Sequence, residues 1–244
     1  VPLLFAGASD VTIPVGEEIV SDPVDRAVSA GEELALSLYL PGDTGLTTHS
    51  RVPYDIGHAV SGNQLASEVL ENAEELDAGH FVTSIDVRAS EGTRIAVAFG
   101  DSWIEGAATT PGTDSSFPAQ LSRRLTRGWI VNQGISGNRL LNDEIGEHLL
   151  ARIEHDVLDV PGVSHVLIRI GLNDLGMPGY ISHPEPAPDR VTADDFIGGL
   201  TALADRLHAA GLTAIIGTIG PYAGTVYEGY DSEEGQATRR RVNE

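Results

Sequence analysis

Two hydrophobic rhythms follow one another along the chain, and they change over near residue 92. Ahead of that point short apolar stretches alternate with small or polar residues. Val11-Thr12-Ile13-Pro14-Val15, Leu34-Ala35-Leu36-Ser37-Leu38-Tyr39-Leu40 and the segment from His80 to Val87 read as strands, with a turn at Pro41-Gly42-Asp43-Thr44-Gly45. Between them, Ser61 to Ala78 is acidic and has no clean period, so a long loop or a helical insertion is expected there. Beyond Glu91-Gly92, compact apolar runs alternate with amphipathic stretches. Strands are predicted at Ile95–Phe99, Trp129–Val131, His165–Ile170 and Thr213–Ile219. Helices are predicted at Phe117–Arg127, Gly146–Leu158 and Ala193–Ala210, and the polar tail after Tyr227 reads as the start of another helix.

Strands separated by helices imply right-handed crossovers and a parallel sheet with helices on both faces. The expected fold class is therefore α/β: a three-layer α/β/α parallel sheet of the flavodoxin-like kind, incomplete at its C-terminal side. A smaller β-sandwich-like region precedes it. The expected domains are 1–92, β-rich and a partial sandwich, and 93–244, the α/β unit.

Composition narrows the chemistry. Across 244 residues there are 36 acidic residues against 15 basic ones, a formal charge of −21, and every basic residue is arginine. A field of that sign disfavours nucleic acid as a partner. The lack of lysine removes phosphate loops of the Walker type and Schiff-base chemistry, and the lack of cysteine removes disulfides, thiol nucleophiles and thiolate-bound zinc. No apolar run approaches the roughly 20 residues needed to cross a bilayer. The chain begins at Val1, so an export signal lost from this end is compatible with secretion, the expected localisation.

In an open parallel sheet, ligands bind in the crevice beyond the carboxyl ends of the strands, so the residues that follow each strand carry the functional information. After the first comes Gly100-Asp101-Ser102, after the second Asn132-Gln133-Gly134-Ile135-Ser136-Gly137-Asn138-Arg139, and after the third Gly171-Leu172-Asn173-Asp174. A serine hydroxyl, a glycine N–H open to close approach and a neutral amide donor are the parts of an acyl-transfer site. Ser102 is the candidate nucleophile, with Gly137 and Asn173 as candidate oxyanion donors. At such a junction the same serine could instead only cap the following helix.

Gly-Asp-Ser, Asn-x-Gly-x-Ser-Gly and Gly-x-Asn-Asp, in this order and each after a strand, resemble the first three blocks of the SGNH (GDSL-type) hydrolases over about Ile95 to Gly176. The resemblance implies Ser102 as nucleophile and as donor through its own N–H, Gly137 as second donor and the Asn173 amide as third. It also implies a serine-dependent esterase with an acyl-enzyme intermediate and neither cofactor nor metal. A β-rich region ahead of the hydrolase resembles the layout of some carbohydrate esterases, so a glycan or other small ester is the expected substrate. The alternative is a non-catalytic carbohydrate-binding or scaffold protein on the same fold.

Two positions depart from the family pattern. Trp103 stands where an aliphatic residue is usual, and it is expected to pack under its helix. The family's Asp-x-x-His block does not occur before Glu244, so the general base and its orienting group are expected after that residue. Of the eight histidines, only His183 lies on the correct rim, in the loop from Pro178 to Pro188, with no evident group to orient it as a base. Asp101 and Asp174 are expected to hold loop backbone rather than to react.

Overall fold

The computed structural model describes all residues except 30, 48, 51–56, 77–78, 111 and 185–187. The end of the expected insertion, Asp77 and Ala78, and part of the loop carrying His183 lie outside the described residues.

The molecule is organised by β5 (Arg94–Gly100), β6 (Gly128–Gly134), β7 (Val163–Arg169) and β8 (Thr213–Ile216), which form one parallel sheet in the order β6-β5-β7-β8. β5 lies inside the sheet and is covered on both faces, so its sequence is a continuous apolar run: Val97, Ala98 and Phe99 are fully buried. The chain leaves β5 toward β6 and then crosses to the other side to make β7. That reversal opens a crevice beyond the carboxyl ends of β5 and β7. The flanking helices are α1 (Ser102–Glu105), α2 (Phe117–Ser122), α3 (Leu172–Gly176), α4 (Ala193–Ala209) and α5 (Glu233–Asn243). α4 buries Phe196, Gly199, Leu203 and Leu207, a stripe at helical spacing, in a core that includes Val97, Phe99, Val166 and Ile168.

The helix expected at 146–158 shrinks to a π-helical turn at Glu154–Leu158. Side chains take the backbone groups that a helix would have used. Asn138 Nδ2 donates to the carbonyls of Ile145 and Glu147, and the His148 N–H donates to Asp143 Oδ1. Asparagine and aspartate compete with helical hydrogen bonds in this way, and an apolar period cannot register it.

Ahead of the α/β unit lie two small antiparallel pairs, β1 (His49–Ser50) with β4 (Gly79–His80) and β2 (Gly57–Ala59) with β3 (Glu74–Leu76). A β region therefore precedes the parallel sheet, as expected, but its strands fall elsewhere. The stretches 11–15 and 34–40 join no ladder, and of His80–Val87 only His80 pairs. Val11, Ile13, Leu36, Leu38 and Leu40 are exposed, with no second layer over them among the described residues. Alternation marks a face that can be buried and cannot supply the layer that buries it. No helix among the described residues is long and apolar enough to cross a membrane.

Candidate active site

Ser102 opens α1 directly after β5. Asp101 is the N-cap: its side chain accepts from the Trp103 N–H at 3.1 Å, and its own N–H donates to the Arg169 carbonyl at 3.2 Å, tying the β5 end to the β7 end. This places the cap role on Asp101 and leaves Ser102 Oγ without a hydrogen-bond partner among the described residues, partly exposed at the crevice. Gly100 permits the approach, since a Cβ there would lie 2.0 Å from the Arg169 carbonyl oxygen.

The loop after β6 is stitched to the same place. The Ile135 N–H donates to the Gly100 carbonyl at 3.1 Å, and Ser136 Oγ donates to the buried Glu105 carboxylate of α1. Gly137 has φ +82°, and a Cβ on it would sit 2.5 Å from Ile145 Cδ1, so both conformation and space require glycine. The Gly137 N–H and the Ser102 N–H donate to no described residue.

Asn173, on α3 after β7, is buried and doubly held. Its Nδ2 donates to the Asn138 carbonyl at 2.9 Å, next to Gly137, and its Oδ1 accepts from the Tyr230 hydroxyl at 2.6 Å. An amide nitrogen carries two hydrogens, so one remains unspent after the bond to Asn138. The structure thus brings the loops of Ser102, Gly137 and Asn173 together through direct hydrogen bonds. Asp174 anchors the arrangement by accepting the Leu140 N–H, at 2.9 Å on Oδ1, so both acidic residues hold loop backbone as expected.

Burial sets the electrostatics. Desolvation pushes the Asp101 carboxyl up to about 7, opposed by the Trp103 N–H and by the charge of Arg169. Desolvation likewise pushes Asp174 up to about 6, opposed by the Leu140 N–H and by Arg139.

The residue-type pattern left three supports unnoticed. Arg152, buried on the π-helical side, donates to the Gly100 carbonyl at 2.9 Å, the Gln133 carbonyl at 3.0 Å and Asn138 Oδ1 at 3.2 Å, and its guanidinium lies over Phe99. It closes the carboxyl ends of β5 and β6, and Asp156 pairs with it. Arg139, 1% exposed, donates to the Asp189 carbonyl at 2.6 Å and pairs with Glu144 at 3.2 Å. Tyr230 comes from the polar tail and packs with Tyr180, Tyr222 and Tyr227, ring centroids 5.6–6.3 Å from its own. A sequence signal exists only for Arg152, in its i, i+4 spacing to Asp156, which is also the spacing of a solvated helix pair.

The family model described as GDSL-like Lipase/Acylhydrolase matches residues 98–244, which include all three strand-end loops. The chain belongs to the GDSL-like lipase/acylhydrolase family. Among solved structures, the GDSL-like chain is similar to a G-D-S-L family protein described as lipolytic, from Desulfitobacterium hafniense DCB-2, with 22% identity, 61% of this chain and 67% of that chain covered and a TM-score of 0.44. It is also similar to a lipase/acylhydrolase from Enterococcus faecalis, with 21% identity, 62% and 69% covered and a TM-score of 0.45. A third similar structure is an acetyl xylan esterase from Geobacillus stearothermophilus, with 22% identity, 63% and 72% covered and a TM-score of 0.45. No curated protein matches the chain.

Histidine placement separates this GDSL-like site from a complete triad within the described residues. His183 Nδ1 bonds the Pro184 carbonyl at 2.7 Å and Nε2 bonds Glu144, so both ring nitrogens are engaged away from Ser102. The Pro184 carbonyl, with help from Glu144, raises the His183 pKa above its ordinary value, against some desolvation. His148 pairs with Asp143, His155 with Asp156 and Glu18, and His165 Nδ1 shares a bond with Ser164 Oγ. No described histidine bonds Ser102.

Proposed function

We propose that the chain is a serine-dependent ester hydrolase in which Ser102 is the nucleophile and the Ser102 N–H, the Gly137 N–H and the Asn173 amide hold the oxyanion. Ser102 Oγ attacks the ester carbonyl carbon as a base takes its proton. Collapse of the tetrahedral intermediate breaks the ester bond and expels the alcohol, which takes up that proton. Water then attacks the acyl-serine, giving the acid and restoring Ser102. No cofactor or metal enters this sequence. No described histidine is placed to take that proton. The outer edge of β8, where Ile215 and Ile216 are exposed, has no ladder partner among the described residues and suits a further strand.

The observation that supports this reading is the unspent donor set. Two backbone N–H groups and one amide hydrogen have no partner among the described residues, on loops bonded to one another, beside a hydroxyl that no other described residue engages. Preorganised donors without a ground-state partner are what stabilise charge developing in a transition state. A small ester, carried on a glycan or otherwise, is the proposed substrate class. The test is labelling of the full-length protein with a fluorophosphonate and mapping of the modified residue. Labelling at Ser102, abolished by Ser102→Ala, supports the assignment. Labelling that survives Ser102→Ala refutes it, and absence of labelling in a folded protein favours the non-catalytic alternative.

A further inference from the structure

Arg169 closes β7, and strand alternation sets it opposite the buried neighbours Ile168 and Ile170, on the side of α1. There its guanidinium carbon stands 3.6 Å from the centre of the Trp103 ring. Trp103 is therefore not packed beneath its helix: 49% of its surface is exposed, and one face carries a cation. Together with Asp101, Ile170, Leu172, Ile219 and Gly220 the two side chains line a small depression at the crevice.

The other arginines of this sheet edge are held in ion pairs with carboxylates. Arg139 has Glu144 and backbone as partners, and Arg152 has Asp156 and three loop acceptors. Arg169 has no carboxylate within ion-pair distance among the described residues, and its guanidinium donates no hydrogen bond to them. Asp101 acts on it only through space, its carboxyl buried and committed to the Trp103 N–H. The guanidinium held over the indole has N–H donors that no described residue takes, and a guanidinium's fork of N–H groups matches a carboxylate in bidentate geometry.

We propose that Trp103 and Arg169 form an anion subsite beside the nucleophile, which selects esters bearing a carboxylate near the scissile bond. The subsite rests on the assignment of Ser102. It also gives a strongly acidic protein a local means of accepting an anionic substrate that its overall charge would repel.

The experiment has a binding arm and a kinetic arm. In the binding arm the full-length Ser102→Ala protein is titrated with adipate and with neutral adipamide, following indole emission, with Trp103→Phe assigning the signal against Trp129. A saturable response to adipate, absent with adipamide and weakened tenfold or more by Arg169→Gln, supports the subsite. Arg169→Lys keeps the charge but loses the fork and is expected to lie between. Equal affinity in wild type, Arg169→Gln and Arg169→Lys overturns the proposal, as does a lack of saturation. In the kinetic arm the mono-4-nitrophenyl ester of adipate is compared with 4-nitrophenyl hexanoate, and 4-carboxyphenyl acetate with phenyl acetate. A preference for the anionic member of either pair, lost with Arg169→Gln, supports the subsite and tells whether the carboxylate sits on the acyl or the alcohol side. No preference in an active enzyme overturns it. Adipate binding that depends on Arg169 in a protein whose Ser102 resists fluorophosphonate would remove the nucleophile and leave the anion site, so the two failures are distinguishable.

Discussion

The Tyr230 hydroxyl donates to Asn173 Oδ1 at 2.6 Å, joining the polar tail to the amide proposed to hold the oxyanion. Because the hydroxyl is the donor, it fixes the oxygen of the amide on the Tyr230 side and turns the nitrogen toward Asn138 and Gly137. Tyr230→Phe removes that constraint and leaves a buried carbonyl oxygen unsatisfied, which costs about 1–3 kcal/mol of stability. The fluorophosphonate labelling rate at Ser102 is expected to fall roughly five- to tenfold, the equivalent of about one net hydrogen bond. A lower melting temperature with an unchanged labelling rate would confine Tyr230 to packing.

Asn173→Ala deletes a donor rather than its orientation. Loss of one oxyanion donor typically raises the barrier by about 3 kcal/mol, so ester turnover should drop roughly a hundredfold or more. Circular dichroism and melting establish that the fold survives. Turnover within about threefold of wild type would take Asn173 out of the oxyanion site, given the typical donor loss.

Asp101 makes stability depend on pH in the sense opposite to an ion-paired carboxylate. Its carboxyl titrates near 7 in the folded protein because burial penalises the charge, whereas an unfolded aspartate titrates near the reference value of 3.8. Between those values the folded state binds more protons, so the contribution is fully present at about pH 4 and is lost as pH rises through about 7. Asp174, raised to about 6, acts in the same direction. Melting temperature is expected to decline from pH 5 to pH 8, and Asp101→Asn, which keeps a cap acceptor, is expected to flatten that decline. An unaltered slope in the variant would mean that the Asp101 carboxyl is ionised throughout this range.

His183 is expected to be a loop fastener. With Nδ1 on the Pro184 carbonyl and Nε2 on Glu144, its charged form is favoured, so its stabilising contribution is present below the ordinary histidine pKa and fades as pH rises through the raised folded value. His183→Gln should leave Ser102 labelling nearly unchanged, far from the loss of about 10²–10⁴ that follows removal of a general base. A loss of that size would identify His183 as the base.

What the sequence determined by itself is the part of this protein written in local pattern. Apolar runs at Ile95, Trp129, His165 and Thr213 become β5 to β8 because a short run of contiguous apolar residues bounded by turn signals is enough to mark a strand, whether both its faces are covered, as in β5, or it lies at the sheet edge, as in β8. The meeting of the loops that carry Ser102, Gly137 and Asn173 was legible because strand ends in a parallel sheet converge whatever the sequence between them. Tertiary structure decided what depends on partners distant in sequence. Asn138 and Asp143 dissolved an apparent helix by taking its backbone groups, and Arg152 became a buried brace for two strand ends although its spacing is that of a surface pair. Tyr230 reached Asn173 across 57 residues, and Arg169 found the face of Trp103. A hydrogen bond or a stacked cation is set by the position of its second atom, and no periodicity along one segment encodes where a different segment will place that atom. For the same reason the alternating stretches ahead of residue 92 announced faces fit for burial, while the layer that would cover them is a property of the assembled fold.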